Sequence, residues 1–306
     1  MIGHDIVYKL ETASTFLQPN STIMMIASIN MMLEIEHFDE IVCVKTATEQ
    51  AGQAIMWVYA YRIGNLLFDA GCGNAREEVR NCPELEGIER IIISHYHEDH
   101  IGCIRAFEDV VIYAPEQSIE LIQNPDELGE FFQYVWGQPE KVEKVLPVPD
   151  VIIEGDFEFE AIPLPGHCKN MYGIYEPERK WLFSADAIPL PSKKTIAMPE
   201  ENIPQIIATM KRIQNMDIEV LFDGHRGPIE NPKEHIQVRI DFLHKIKDEI
   251  LSYHEQGKSV IEIQTALELE GPWYMDLTEG RFGIDHFINS VIKDSIPIDN
   301  EEVQSV

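Results

Sequence analysis

Six consecutive positions, His95-Tyr-His-Glu-Asp-His100, carry three imidazoles and two carboxylates directly behind the apolar run Ile91-Ile-Ile93. A β-branched run of that kind reads as a short buried strand, and a strand delivering polar groups this densely must end there in a turn. A turn splays alternate side chains toward two points. His95 and His97 can then converge on one ion while Asp99 and His100 address a second beside it. Imidazole and carboxylate donors suit zinc, iron or manganese, and the lack of thiolates argues against a closed structural zinc site. A lone histidine would be read as a surface or satisfied core residue. Three of them with an aspartate, just after a strand, are read as ligands.

The rest of the chain supplies the frame. Strand signals fall at 40–45, 54–61, 66–69, 157–162 and 218–222, with a Gly64-Asn65 turn and a hairpin of 171–175 with 180–183 around Pro177-Glu178. Helical patterns cover 74–81, 116–136 and 201–216, the last through Ile203, Ile206, Ile207, Met210 and Ile213. Beyond His225, Pro232 suits a helix start, and Ile236, Ile240, Leu243, Ile246 and Ile250 form an apolar stripe. Further helices are expected over 260–267 and 282–292. The expected organisation is an N-terminal extension over 1–31, a strand-rich α/β domain over 32–230 and a C-terminal helical cap over 231–306. For 1–31, a docked N-terminal strand is the competing reading.

Composition limits the partners. The 306 residues are 44% hydrophobic and 25% charged, enough apolar material for a sizeable core. A net charge of -29 without a Lys/Arg cluster repels phosphate backbones, so no nucleic-acid partner is expected and a small-molecule substrate is. The five cysteines, Cys43, Cys72, Cys82, Cys103 and Cys168, form an odd set with no CxxC pair, which fits a reducing compartment. No basic segment precedes an apolar export core, and the run from Thr22 to Leu33 is interrupted by Ser28 and Asn30 and too short to span a bilayer. A cytoplasmic chain without a membrane partner is expected, and a homodimer is left open.

The segment from His95 to His100 matches the HxHxDH motif of the metallo-β-lactamase-fold hydrolase superfamily, and further stretches resemble that family's other motifs in order. Leu66-Leu-Phe-Asp69-Ala-Gly resembles the first, whose aspartate supports ligands from behind. Pro165-Gly-His167 resembles the third, Leu182-Phe-Ser-Ala-Asp186 the fourth, and Phe222-Asp-Gly-His225 the fifth. The resemblance spans about residues 40 to 230. It implies an α/β fold, the four-layer αββα sandwich, with the C-terminal helices as an extension. It also implies a binuclear site. His95, His97, His167 and a bridging Asp186 hold one ion; Asp99, His100, His225 and Asp186 hold the other. Two divalent metal ions follow, zinc first in expectation, with iron and manganese as the other candidates. A metal-bridging hydroxide would be the nucleophile, and Asp99 the group that takes and returns the proton.

A fold does not fix a reaction. Diiron oxygen-reducing relatives replace the second histidine of the motif by glutamate, whereas position 97 is His. RNA-processing relatives carry extra domains or basic exosites, and the β-lactamases are exported. The glyoxalase II enzymes are similar, although His225-Arg-Gly-Pro228 departs from their His-Gly-Pro. The expected reaction is hydrolysis of a small ester, thioester or lactone. Two others compete: a persulfide dioxygenase using one iron on His95, His167 and Asp186, and, behind it, a nucleic-acid phosphodiesterase. Cys103 and Cys168 are read as packing, Glu98 as pointing away from the metals, and Phe131, Phe132, Tyr134 and Trp136 as helix packing ahead of a pocket wall. His286 is a weak candidate for a substrate contact from the cap.

Overall fold

Side-chain alternation sorts the strands into layers. In the computed structural model, which describes residues 31–189 and 195–293, the first sheet contains β1 (Met31–Phe38), β2 (Ile41–Gln50), β3 (Gln53–Ala54), β4 (Val58–Ile63), β5 (Leu66–Phe68), β6 (Arg90–Ile92), β7 (Val111–Ala114) and β8 (Val145–Pro147). Its order is β1-β2-β4-β5-β6-β7-β8, with β3 paired to β2. The first pairs are antiparallel, and β5 through β8 run parallel. Successive residues of a strand face opposite sides. Leu66, Phe68 and Ile92 accordingly enter one core, while Leu67, Ile91 and Ile93 enter another.

The second sheet holds β9 (Val151–Glu154), β10 (Phe157–Pro163), β11 (Tyr172–Glu176), β12 (Trp181–Ala185), β13 (Val220–Asp223) and β14 (Gly227–Glu230), ordered β14-β13-β12-β11-β10-β9. Only β12 and β13 pair in parallel. The sheets meet face to face through aromatic rings. Phe183 stacks on Phe222 with centroids 4.2 Å apart, and Tyr61 and Phe68 of the first sheet reach Phe183 edge-on at 5.3 and 5.9 Å. Such pairs add about 0.5–1.5 kcal/mol each beyond the area they bury.

Helices cover the two outer faces. α1 (Arg76–Arg80), α2 (Glu98–Ile101), α3 (Ile119–Gln123) and α4 (Glu130–Trp136) belong to the first sheet's side, where Val79, Ile101, Ile122 and Phe132 share its outer core. On the other side, α5 (Ile203–Asn215) and α6 (Lys233–Glu255) bury their isoleucine stripes against the second sheet, and α7 (Val260–Ala266) and α8 (Ile284–Lys293) join the same core. These are the four layers expected, with the C-terminal helices sharing the second sheet's core. Among the described residues no helix is long and apolar enough to cross a membrane.

The local expectations fared unevenly. The helix expected over 116–136 is broken: a 3-10 turn and α3 end at Gln123, and α4 starts at Glu130. Pro125 explains the break, because it disfavours helix at Asn124 and lacks an N–H. The helix expected over 74–81 is a 3-10 turn followed by α1. The extension expected over 1–31 lies outside the described residues, apart from Met31 at the start of β1.

Candidate metal centre

Strand ends bring the ligands together. β6 leads into Ser94 and His95, β12 ends just before Asp186, β13 ends two residues before His225, and His167 sits in the β10–β11 connection. Two backbone features present the last three. Gly166 has φ +139°, and a Cβ there would lie 2.7 Å from the backbone nitrogen of Ile206, so only glycine lets the turn before His167 rest on α5. Ala185 has φ +45°, costly for a residue with a Cβ, at the point where the β12–β13 register slips. The Gly224 N–H donates to the Ala185 carbonyl at 3.0 Å and holds that bend, from which Asp186 projects.

The seven expected residues fall into two adjacent groups, His95 with His97 and His167, and Asp99 with His100, Asp186 and His225. Asp186 joins them. Its Oδ2 lies 3.4 Å from His167 Nε2 and 3.2 Å from His225 Nε2.

Every imidazole is pinned from behind. The His97 Nε2–H points to Glu200 at 3.2 Å, the His167 Nδ1–H to Glu201 at 3.0 Å, and the His100 Nδ1–H to Asp69 at 2.8 Å. His225 Nδ1–H donates to the Trp57 carbonyl at 2.9 Å, and His95 Nδ1 meets the Ser94 hydroxyl at 2.9 Å. Ser94 in turn donates its backbone N–H and its hydroxyl to the two oxygens of Asp69. Donating outward leaves each ring a lone pair facing inward. In the first group three such nitrogens crowd together: His95 Nε2 to His97 Nδ1 is 3.1 Å, and His97 Nδ1 to His167 Nε2 is 2.8 Å. Lone pairs facing one another at that range repel unless a cation lies among them. In the second group, His100 Nε2 and Asp186 Oδ1 are buried, face each other at 3.3 Å, and have no other hydrogen-bond partner among the described residues. The donor set fits divalent cations in both groups.

Electrostatics agree. Burial, helped by His100, His97 and His167, holds the His95 pKa well below the imidazole range. Burial would also lower His100, but Asp99, Asp186 and Asp69 outweigh it and hold that ring well above the range. His225 is likewise raised against burial, to about 9, chiefly by Asp186. On Asp186 itself, burial is outweighed by His225 and His100, which keep the carboxyl well below the usual carboxylate range. The second group thus attracts positive charge, and a divalent cation entering it displaces protons.

Several neighbours were not legible as site residues. Glu200 and Glu201 lie just ahead of Asn202, the N-cap of α5, with nothing in the local sequence to mark them as site residues. Arg226, where the His-Gly-Pro pattern is interrupted, clamps Asp223 at 2.7 Å and donates to the carbonyls of Ile188 and Pro189 at 3.2 and 2.6 Å, tying the strand end under His225 to the segment after Asp186. Glu98 joins neither ligand group and pairs with Arg281 at 3.3 Å. Trp136 comes within 6.4 Å of the His225 ring, whereas Phe132 packs into the core and Phe131 stacks on Tyr274. The Cys103 thiol donates to the Cys72 carbonyl, and Cys168 is buried in the core. His286 pairs with the Gly280 carbonyl at 2.9 Å within its own segment.

Comparison with known proteins points one way. Residues 52–226 match the family model of the metallo-beta-lactamase superfamily. The chain is 26% identical over 196 residues to the beta-lactamase-like protein 2 homolog of Caenorhabditis elegans, a match covering 62% of this chain and 60% of that protein. It is 22% identical over 205 residues to the acyl-coenzyme A thioesterase MBLAC2 of Gallus gallus, covering 58% of this chain and 74% of that one. Among solved structures, a beta-lactamase domain protein from Burkholderia ambifaria superposes with a TM-score of 0.55 at 15% identity, covering 87% of this chain and 85% of its own.

Proposed function

The chain belongs to the metallo-beta-lactamase superfamily, and on that footing we propose that it is a binuclear metal-dependent hydrolase acting on a small thioester, ester or lactone, with zinc as its resident metal. The observation that carries this is the shared carboxylate: Asp186 Oδ2 faces an inward nitrogen of each ligand group, His167 at 3.4 Å and His225 at 3.2 Å. The second set, Asp99, His100, Asp186 and His225, supports a second ion beside the first. The similarity to a thioesterase favours thioesters within the class.

His95, His97 and His167 would hold one cation and Asp99, His100 and His225 the other, with Asp186 common to both. When bound, such a pair supplies a Lewis acid for the carbonyl oxygen and water acidic enough to attack near neutral pH. The chain's own groups do the rest. Asp99 is buried, and its Oδ2 lies 3.6 Å from His225 Nε2 and 3.7 Å from His100 Nε2, on the inner side of the cluster. It takes the proton from the attacking water and passes it to the departing thiolate or alkoxide. Trp136, packed into the first sheet's outer core, stands beside the His225 ring with centroids 6.4 Å apart. The acidic surface, with its net charge of -29, disfavours polyanionic substrates.

Elemental analysis of the purified protein, combined with a panel of acyl thioesters, lactones and phosphodiesters, tests this. Two metal equivalents and thioester or lactone turnover are expected. One iron per chain with oxygen consumption on a persulfide would overturn the proposal, as would turnover confined to phosphodiesters.

A further inference from the structure

His97 is held by groups more than a hundred residues away in the chain. His97 Nε2–H points to Glu200 Oε1 at 3.2 Å, and a guanidinium nitrogen of Arg281 stands 3.7 Å from that same oxygen. Arg281 belongs to the C-terminal segment between a 3-10 turn (Met275–Thr278) and α8. Its position is fixed three ways. The same guanidinium nitrogen reaches Glu98 Oε2 at 3.3 Å, in the first turn of the ligand-bearing α2, and the guanidinium lies 5.2 Å over the Phe132 ring. Two residues on, Gly283 exchanges both backbone hydrogen bonds with Ala197 at 3.0 Å. That bridge anchors the stretch carrying Glu200 and Glu201, whose carboxylate also accepts the Met198 N–H at 2.9 Å.

A closed ring of contacts results, from His97 through Glu200, Arg281 and Glu98 back to α2. A carboxylate behind a ligating histidine fixes the ring's tautomer and orientation and strengthens its inward lone pair. A carboxylate that is itself held by a cation keeps its place better than a free one.

We propose that Arg281 is a positioning residue of the His95/His97/His167 site: through Glu200 it fixes the His97 ring, so that the C-terminal segment sets the affinity of that site for its cation. The proposal rests on the metal-centre reading above. Arg281 acts on the ligand through Glu200 and needs no contact with substrate.

The test uses the full chain, stripped of metal and titrated with Co²⁺ against a chelating indicator, with the visible absorption of the bound cobalt recorded. Wild type, Arg281→Ala, Arg281→Lys, Glu200→Ala and the double variant Arg281→Ala/Glu200→Ala are compared. Arg281→Ala is expected to weaken one of two cobalt equivalents about 10- to 100-fold and to shift its absorption band, with the other equivalent unchanged. Arg281→Lys recovers most of the loss, because it restores a cation beside Glu200. The double variant loses no more than Glu200→Ala alone, since both changes act on one path. Wild-type affinity and an unshifted band in Arg281→Ala and Glu200→Ala would overturn the proposal while leaving the metal centre standing. A wild-type chain that takes up no cobalt would overturn the metal centre itself. Should Arg281→Ala fail to fold, Arg281→Lys and Glu200→Ala decide: a wild-type band in Glu200→Ala still overturns it.

Discussion

Asp69 holds His100 by a 2.8 Å hydrogen bond while its two oxygens also accept the backbone N–H and the hydroxyl of Ser94. One buried carboxylate therefore orients a second-group ligand and, through Ser94, the His95 ring. Asp69→Asn leaves the volume unchanged but sets an amide N–H against an N–H or O–H donor. It is expected to lower metal affinity about 10- to 100-fold, as loss of such supporting groups commonly does, with the circular dichroism of the fold retained. Unchanged metal retention on dialysis would refute the orienting role.

Asp99→Asn separates proton transfer from folding. The amide keeps the size of a side chain buried beside His100 and His225 but cannot cycle a proton. Thioester turnover is expected to fall by about 10²- to 10⁴-fold. His97→Ala is expected to abolish turnover and also to lower metal content while the fold persists. Because Asp99 also belongs to the second ligand group, elemental analysis accompanies the kinetics for both variants, and a fully active Asp99→Asn would remove Asp99 from the proton path.

Gly224→Ala probes the cradle of the bridging carboxylate. A Cβ there would collide with Asp186 Oδ1 and come within 3.1 Å of the Ala185 carbonyl carbon. Overpacking of this kind costs about 1–3 kcal/mol. The larger effect is expected on the site, where displacement of Asp186 disturbs both ligand groups together. Equal loss of both metal equivalents, measured by titration, is the expected result; selective loss of one would contradict the sharing.

Stability has a pH dependence that does not involve the ligands. Burial, then Arg226 and Arg239, hold the His235 pKa at about 4, below its usual 6.5. The unfolded chain therefore binds more protons than the folded one between those values. Stability from this group is fully present above 6.5 and is lost as pH falls toward 4. Discounted for partial exposure, the effect is on the order of 1 kcal/mol. Urea unfolding of wild type and His235→Gln at pH 7 and pH 4.5 checks it: the variant should lose less stability on acidification, and equal losses would contradict the shift.

The candidate ligands were legible because each follows a strand or tight turn whose residues announce themselves locally: Ile91-Ile-Ile93 before His95, Pro165-Gly166 before His167, and Phe222 with Gly224 before His225. Of their partners, Asp69 was legible through its motif and the others were not. Glu200 looks like any acid ahead of a helix, and Arg281 like any surface cation, until tertiary approach brings them to His97. Short strands such as β7, β8 and β14 escaped for a related reason. With three or four residues each, they are selected by the neighbour they pair with more than by their own pattern. In the 116–136 stretch the apolar spacing suggested one helix, and the backbone constraint of Pro125 prevailed.

The stacked sheets divide the ligands between them: His95, His97, Asp99 and His100 follow β6 of one, and His167, Asp186 and His225 come from the other. Ions seated there would be rivets as well as reagents, fastening two layers that already cohere through aromatic packing and through hydrogen bonds such as the Tyr61 hydroxyl to the Asp223 carbonyl. Filling the site tightens the molecule by mass action, in proportion to the logarithm of free metal over its dissociation constant. Slippage of one layer over the other by about 1 Å would cost such chemistry on the order of 100-fold, long before either layer came apart.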